Sequence, residues 1–517
     1  MTGSPAHALR YVVLAGALLL AGQSASAQGV LAPELETELS RVGAGERVSV
    51  IVRLAATPES VISKRGGTRS GAVPRAALVT ALKTRMNASR RGVQDLLEEP
   101  SVSRVMELWG INGLALTASP SIIRALAARS SVARISLDAV VAEPRSVLDT
   151  AGSAEWNLEA IRAPELWAAG YDGSGVVVAT MDSGVDPSHQ DLAERYRGGE
   201  HSWLDPFGEH ATPYDRSGHG TQVLGLILGG AAAGSAIGVA PGARWMAARI
   251  FDDGGQGTFS AIHQVFQWLL DPDGDPDTDD APDVVNGSWD LGNVGSCNLE
   301  FEEDLELLKA AGIVVVLSGG NYGPRTATSV SPANNPSAFA VGAVDHDGRI
   351  ATFSGSGPSA CGNASYPALA APGVQVRTSD KTYGGAFPDA YVTVSGTSAA
   401  APHVAGAMAL LLDALPEATV DELRRALTES AVDAGPVGPD DAYGHGVVDV
   451  AAAARLLGLQ VGPACADLDG DGIADCLEPD CTQERPCTRR GPARRVAPTA
   501  TRSLHGISWN RTRSLSW

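Results

Sequence analysis

The central part of the chain, from residue 156 to about residue 457, alternates short runs of Val, Ile and Ala with segments of helical periodicity. In chain order, the strand-like runs and the helical segments together are 175–181, 222–228, 244–251, 259–270, 283–286, 312–318, 339–344 and 399–412. Strands that are apolar on both faces occur in parallel sheets that helices cover from both sides. The pattern therefore predicts an α/β domain of about 300 residues, built on a mostly parallel sheet with helices on both faces.

A smaller unit precedes this domain. Residues 48–52 and 132–137 have the apolar pattern of strands, and residues 78–97 and 120–128 have helical patterns. A polar stretch that contains Pro144 separates this pattern from the next one. We therefore expect a small α+β unit at 28–145 and the larger domain at 146–457.

The first 27 residues have the pattern of a secretory signal, with Arg10, an apolar core at 11–22 and small residues at 25–27. An uncleaved anchor is the alternative. No other segment approaches about 18 uninterrupted apolar residues, so we expect an exported protein, extracellular or periplasmic, whose mature form does not span a membrane. The formal net charge of −20 argues against nucleic acid as a partner.

The six cysteines fit an oxidising compartment. Four of them, Cys465, Cys476, Cys481 and Cys487, cluster near the C-terminus. We expect two local disulfides there, with the pairing open because four cysteines allow three arrangements. We also expect Cys297 to pair with Cys361.

Three segments of the central domain each present one reactive side chain. Asp182 ends an apolar strand run, where open α/β sheets bind ligands. His219 lies between two glycines at the start of an apolar run, and Ser398 follows a Gly-Thr turn at the start of an apolar helix. A helix N-terminus favours a developing alkoxide on such a serine. Taken singly, the three residues have ordinary structural explanations, which are a turn cap, a structural histidine and a helix N-cap.

Together the three residues follow the chain order Asp, His, Ser, which is one of the known orders of the serine protease triad. Residues 182–184 match D-[ST]-G, residues 219–221 match H-G-T, and residues 396–406 match G-T-S-x-A-x-P-H-V-A-G. Over residues 156–457 the chain therefore resembles the subtilisin-like serine proteases. Ala399 stands where that family usually has methionine.

The resemblance implies an endopeptidase that works through an acyl-enzyme. Ser398 is then the nucleophile, His219 the general base and Asp182 the residue that orients the imidazole. Asn321 lies in a segment similar to the family's G-N motif, which implies an oxyanion donor beside the Ser398 backbone N–H.

The same resemblance implies protein or peptide substrates that add as a β-strand along residues 286–290. The implied substrate-binding residues are Ser288, Trp289, Asp290, Gly319 and Gly320. Asp290 stands where glycine is usual, and it either selects substrate charge or faces solvent.

Residues 28–145 resemble the family's prosegment, which implies an intramolecular inhibitor that assists folding and is removed by autocleavage between residues 141 and 150. An N-terminal domain kept in the mature enzyme is the alternative. His189 matches a position that is structural in the family. His403 lies five residues after Ser398 in the same helix, where we expect packing or hydrogen bonding inside the domain, so we do not expect either histidine to be the base.

Residues 467–478 match the calcium-loop pattern D-x-D-x-D-G-x₅-E. The predicted Ca²⁺ ligands are Asp467, Asp469, Asp471, Ile473 through its carbonyl, Asp475 and Glu478. A solvated acidic turn is the alternative. We assign 461–488 to a Cys-rich calcium segment and 489–517 to a basic, disordered tail.

The acidic loop at 271–280 either holds a second ion or is a charged surface insertion. Two rival functions remain at this stage: a catalytically silent binding protein that uses the protease fold as a scaffold, and an acid-active relative with a Ser-Glu-Asp site. The complete motifs around Asp182, His219 and Ser398 argue against the first, and His219 would have no role in the second.

Overall fold

The computed structural model describes residues 30–43, 45–55, 74–144, 147–149, 155–232, 234–362, 365–383 and 390–462. The predicted signal segment, the clustered cysteines, the calcium loop at 467–478 and the basic tail all lie outside these residues. The chain divides into two compact units, Met1–Val461 and Gly462–Trp517, and only Gly462 of the second unit is described.

The N-terminal part is an antiparallel four-stranded sheet with helices. Its elements are α1 (Pro33–Arg41), β1 (Val48–Leu54), α2 (Arg75–Arg90), α3 (Gln94–Leu97), β2 (Ser103–Leu108), β3 (Gly113–Ala118), α4 (Pro120–Ala127) and β4 (Val132–Leu137), with strand order β2-β3-β1-β4. The helix expected at 78–97 is divided in two. At Gly92, between α2 and α3, a Cβ would lie 2.6 Å from the Cβ of Ser131. The close approach of the Ser131 loop therefore requires glycine there.

The central part contains a seven-stranded parallel sheet of order β14-β13-β12-β11-β7-β9-β8. The strands are β5 (Val140–Ala142), β6 (Val147–Asp149), β7 (Val177–Asp182), β8 (Trp203–Leu204), β9 (Arg244–Arg249), β10 (Gln256–Thr258), β11 (Val284–Gly287), β12 (Val314–Ser318), β13 (Ala340–Val344), β14 (Leu369–Pro372), β15 (Val376–Ser379) and β16 (Tyr391–Ser395). The helices are α5 (Trp156–Ala160), α6 (Ala163–Ala168), α7 (His219–Leu228), α8 (Phe259–Leu270), α9 (Glu302–Ala310), α10 (Thr397–Ala414), α11 (Val420–Glu429) and α12 (Val450–Leu456).

Both faces of the large sheet are buried. Along β12 the successive residues Val314, Val315 and Val316 belong alternately to two hydrophobic clusters, as the two-residue period of a strand requires. One cluster includes α7 and α10, and the other includes α8 and α9. The predicted α/β architecture is thereby confirmed.

The N-terminal sheet and α2 pack on α8 and α9. Leu78, Leu82 and Leu108 share a buried cluster with Phe266 and Leu307. Full burial of one leucine side chain contributes about 1.5–3 kcal/mol relative to exposure, so several such contacts make a firm attachment.

The predicted disulfide between Cys297 and Cys361 is present, with Cα atoms 4.9 Å apart. Among the described residues, none of the helices has both the length and the apolar character needed to cross a bilayer.

Candidate active site

Asp182 and His219 meet in the interior at the carboxyl end of the large sheet. Asp182 ends β7, a central strand, and His219 is the first residue of α7. The Nδ1 atom of His219 lies 2.7 Å from Oδ1 of Asp182, which also accepts a 2.7 Å hydrogen bond from the Ser183 backbone N–H. Asp182 is 0% exposed and His219 is 4% exposed. Donation from Nδ1 to the carboxylate leaves Nε2 as the imidazole's proton acceptor.

Glycines around His219 permit this close approach. Gly218 precedes α7 with φ of +96°, which a residue with a side chain rarely adopts. A Cβ on Gly220 would lie 2.0 Å from the Gly184 carbonyl oxygen and 3.2 Å from the Asp182 Cβ. The glycines of the His219 and Asp182 motifs therefore let the two loops pack backbone to backbone.

The electrostatic surroundings favour a charged His219. Burial is the largest single influence and lowers the pKa of His219, but the Asp182 carboxylate, aided by Asp215 and Glu143, raises that pKa above its ordinary value. The imidazolium that forms when a base takes a serine proton is thus stabilised.

Asp215 was missed by the sequence analysis. It is fully buried and accepts hydrogen bonds from the Ser183 hydroxyl at 2.9 Å, the Gly218 N–H at 2.8 Å and both the N–H and hydroxyl of Thr221 at 2.8 and 2.6 Å. Burial raises the pKa of Asp215 against these bonds. Asp215 therefore fastens the Asp182 loop to the His219 loop. Its place four residues before His219 was the only available signal.

Ser398 is the second residue of α10 and is half-buried. Its backbone carbonyl accepts a 3.1 Å hydrogen bond from the hydroxyl of the fully buried Ser288. The Ser288 hydroxyl in turn accepts a 2.9 Å bond from the Asn286 amide. The predicted substrate strand is thereby tied to the loop that carries the predicted nucleophile.

Asn321 lies beside the same helix start. Its Oδ1 accepts hydrogen bonds from the N–H of Thr397 at 2.8 Å and from the Thr397 hydroxyl at 3.0 Å. Because a backbone N–H can only donate, the amide atom facing it must be the oxygen. The NH₂ group of Asn321 is therefore turned away from Thr397, and Asn321 is exposed. Thr397 directly precedes Ser398, so this amide lies next to the loop that carries the predicted nucleophile.

The predicted substrate-binding residues differ in what their side chains face. Trp289 is 1% exposed and packs edge-on against Phe301, so only its backbone is available to the cleft. Gly319 accepts a 2.7 Å hydrogen bond from the Tyr366 hydroxyl, and Gly320 has φ of +79°. Both glycines shape the backbone that leads into Asn321.

Asp290 lines a pocket of about 340 Å³ together with Asn321, Tyr322 and Pro144. Its Oδ1 accepts hydrogen bonds from the Gly292 N–H at 2.7 Å and the Tyr322 hydroxyl at 2.9 Å. Burial raises the pKa of Asp290, and the two hydrogen bonds oppose that rise. The pocket thus holds a carboxylate in a fixed orientation.

The end of the N-terminal part runs along the same cleft. Strand β5 pairs antiparallel with β10, with Ala142 opposite Gln256, and the Glu143 N–H donates to the Gly255 carbonyl at 3.0 Å. A few residues later β6 pairs antiparallel with β16, with Val147 opposite Ser395. The chain therefore adds one strand to β10 and, a few residues later, another to β16, which ends three residues before Ser398.

Glu143 enters the electrostatics of the site. Burial raises the pKa of Glu143, a hydrogen bond from Ser217 opposes this, and the Asp182 and Asp215 carboxylates raise it further. Glu143 also helps to raise the pKa of His219.

His189 and His403 have structural partners, as expected. The Nε2 atom of His189 lies 2.9 Å from the Ala390 carbonyl. The Nδ1 atom of His403 lies 2.8 Å from the Ala399 carbonyl, and burial lowers the pKa of His403 to about 4. His403 is therefore neutral, and neither ring contacts Asp182.

Residues 173–446 match the subtilase family. The chain is 32% identical over 471 residues to bacillopeptidase F of Bacillus subtilis (strain 168), a match that covers 84% of this chain and 32% of that protein. It is 34% identical over 381 residues to subtilisin E of the same strain, covering 73% of this chain and 90% of the relative. It is 36% identical over 308 residues to subtilisin of Bacillus pumilus, covering 59% of this chain and 100% of the relative. The chain thus spans about a third of bacillopeptidase F and most of the subtilisins.

Proposed function

The chain belongs to the subtilase family of serine endopeptidases, and we propose that it is made as an exported precursor that cleaves itself and then hydrolyses peptide bonds in other proteins. The observation that carries the proposal is the buried 2.7 Å contact between His219 and Asp182 at the carboxyl end of the parallel sheet. A buried imidazole held by a carboxylate is the pair that a nucleophilic serine requires.

In the proposed reaction Ser398 Oγ attacks the carbonyl carbon of the scissile peptide bond. His219 Nε2 takes the hydroxyl proton and later gives it to the leaving amine, while Asp182 holds the ring and stabilises its charged form. Water then repeats the attack on the acyl-enzyme with His219 as base. The raised pKa of His219 supports this role, because the transition state contains a charged imidazole.

We propose that the oxyanion is bound by the Asn321 NH₂ group and the Ser398 backbone N–H. The orientation of Asn321 supports its role as a donor, because Thr397 hydrogen-bonds to the amide oxygen and the NH₂ group therefore faces away from Thr397. A donor fixed before the reaction needs no reorganisation as the negative charge forms.

The pairings of β5 with β10 and of β6 with β16 support self-cleavage. Strands β5 and β6 add to β10 and β16 through main-chain hydrogen bonds, as an extended peptide adds to the edge of a sheet. The stretch from Pro144, just past β5, to Val147, the first residue of β6, contains three peptide bonds. We propose that one of these three bonds is the autocleavage site, and that residues 28 to about 145 occupy the cleft as an inhibitor until then.

Export and calcium binding belong to the same proposal and rest on sequence. Residues 1–27 are the proposed signal, and residues 467–478 the proposed structural calcium loop. The basic segment 489–517 has no proposed role.

The test compares the chain from Gln28 onward with its Ser398→Ala variant. A matched control is Ser174→Ala, an exposed hydroxyl in the turn before β7, at the opposite end of that strand from Asp182. We expect the parent and the control to lose the N-terminal segment and digest casein, while Ser398→Ala stays full length and inactive. Mass spectrometry of the released fragment should place its end between residues 144 and 147. Equal processing in parent and Ser398→Ala would refute the proposed mechanism, and a chelator arm tests the need for calcium.

A further inference from the structure

The loop at residues 271–280 follows α8 and contains six aspartates in ten residues. Three of them, Asp271, Asp273 and Asp280, each bring one carboxylate oxygen within 4.8 Å of the other two. An exposed acidic loop alone does not indicate a ligand. What indicates one is the burial of individual carboxylate oxygens that lack a hydrogen-bond donor.

Asp271 is 6% exposed, and its Oδ1 atom is buried without a hydrogen-bond partner in the described part of the chain. Asp280 likewise has a buried Oδ1 without a hydrogen-bond partner there, although this oxygen forms an ion pair with Arg75 Nη1 at 3.5 Å. A buried carboxylate oxygen without a donor is costly, typically by about 1–3 kcal/mol or more. A cation position among the three carboxylates would therefore compensate these two oxygens.

Part of that position is filled by side chains of the N-terminal part. Lys83 on α2 donates through Nζ to Oδ2 of Asp271 and, at 3.0 Å, to the Gly274 carbonyl. Arg75 at the start of α2 donates to the Leu270 carbonyl at 2.7 Å and to the Thr278 carbonyl. Lys83 thus binds one carboxylate and one backbone carbonyl, which are the two ligand types that Ca²⁺ takes in proteins.

We propose that the loop 271–280 is a Ca²⁺ site of the catalytic part, and that Lys83 holds the cation position in the precursor. Asp271, Asp273, Asp280 and the Gly274 carbonyl are the ligands from this chain, and water completes the shell. The exchange of Lys83 for Ca²⁺ rests on the proposed function, because it requires that the N-terminal part leaves after cleavage.

Departure of α2 removes Lys83 and Arg75 from the loop. The three carboxylates are then left within 4.8 Å of one another with less compensating charge, and their repulsion favours uptake of a divalent cation. Ca²⁺ and α2 therefore compete for the loop, so Ca²⁺ should shift the equilibrium toward release of the cleaved N-terminal part.

The first experiment uses the full chain with Ser398→Ala, which does not depend on cleavage. Calorimetric titration with CaCl₂ compares this parent with Lys83→Gln and with Lys309→Gln. Lys309 is a matched control because it is 33% exposed, against 31% for Lys83, and pairs with Asp421 far along the chain. We expect Lys83→Gln to bind one additional equivalent of Ca²⁺ and Lys309→Gln to bind none. Adding Asp271→Asn to Lys83→Gln should abolish the extra equivalent.

Equal stoichiometry in the parent and Lys83→Gln would overturn the site, and so would an extra equivalent that survives Asp271→Asn. Any Ca²⁺ bound at residues 467–478 is common to all variants and subtracts out. The second experiment titrates the processed enzyme, which should bind one equivalent more than uncleaved Ser398→Ala, with Asp271→Asn again removing it. If the chain does not process itself, only this second comparison fails, so failure of the proposed function is distinguishable from failure of the site.

Discussion

Replacing Asn321 separates its two contributions to the proposed site. The amide oxygen anchors the residue to Thr397 through bonds of 2.8 and 3.0 Å, while the NH₂ group is the proposed oxyanion donor. Asn321→Asp keeps an oxygen for Thr397 and removes the donor. Asn321→Ala removes both the anchor and the donor.

The expected magnitude comes from the loss of one of two oxyanion donors. Such a loss lowers kcat by about 10²–10³, or ~2.7–4 kcal/mol, a value measured in a subtilisin and therefore not independent of this family. Because Asn321→Asp keeps the acceptor for Thr397, its free energy of unfolding should change little. Asn321→Ala leaves the N–H and the hydroxyl of the buried Thr397 without this acceptor, which typically costs about 1–3 kcal/mol. Asn321→Asp should lose at least as much activity as Asn321→Ala, since it adds a negative charge beside the forming oxyanion.

The assay is kcat and KM on a chromogenic peptide, with thermal unfolding as the control for stability. We expect kcat to fall, KM to stay near that of the parent, and Ser398→Ala to be far less active than either Asn321 variant. The reasoning is refuted if Asn321→Asp retains the parent's kcat, since the anchor alone would then suffice. It is also refuted if Asn321→Ala is as inactive as Ser398→Ala, because one donor would then account for the whole reaction.

Three further predictions follow from the electrostatics and packing of the site. Self-cleavage should fall as pH drops through the pKa of His219, because the protonated ring cannot accept a proton. Since Glu143 helps to raise the pKa of His219, Glu143→Gln should move the midpoint of the pH–rate curve to lower pH. A midpoint that does not move would contradict this prediction. Asp290→Asn keeps the acceptor for Tyr322 but removes the charge, so the ratio of kcat/KM for Arg-containing over Glu-containing peptides should fall about tenfold, or ~1.4 kcal/mol; an unchanged ratio would show that Asp290 does not select charge. Activity should survive peroxide because Ala399 has no sulfur to oxidise, and a loss equal to that of an Ala399→Met variant would contradict the expectation.

Much of the fold could be predicted because its signals are local. The apolar segment at 259–270 coincides with α8, and the expected strand at 132–137 coincides with β4. The prediction of one continuous helix at 78–97 was wrong, because the structure has two helices that are separated near Gly92. That break depends on the contact with Ser131, a residue 39 positions away, which periodicity does not record.

The candidate site divides in the same way. Asp182, His219 and Ser398 were identified because each lies in a short motif whose glycines and strand or helix ends set the local backbone. Asp215 was not identified, because its role consists of hydrogen bonds to three separate residues. The inward orientation of Trp289 was also missed, since an apolar residue beside a cleft has the same pattern whether it faces the core or the substrate.

The sequence by itself determined the α/β class, the order of the three motifs and the candidate catalytic residues. Each motif and each strand or helix pattern is a short local stretch, and the order of the motifs is read directly along the chain. Only the tertiary structure decided how Asn321 is turned, that β5 pairs with β10 and β6 with β16, and that Lys83 meets Asp271. The last pair is separated by 188 residues, and nothing local specifies such a contact. Long-range contacts arise from the packing of whole elements, here α2 against α8, and that packing is set by the summed burial of many side chains rather than by any one motif.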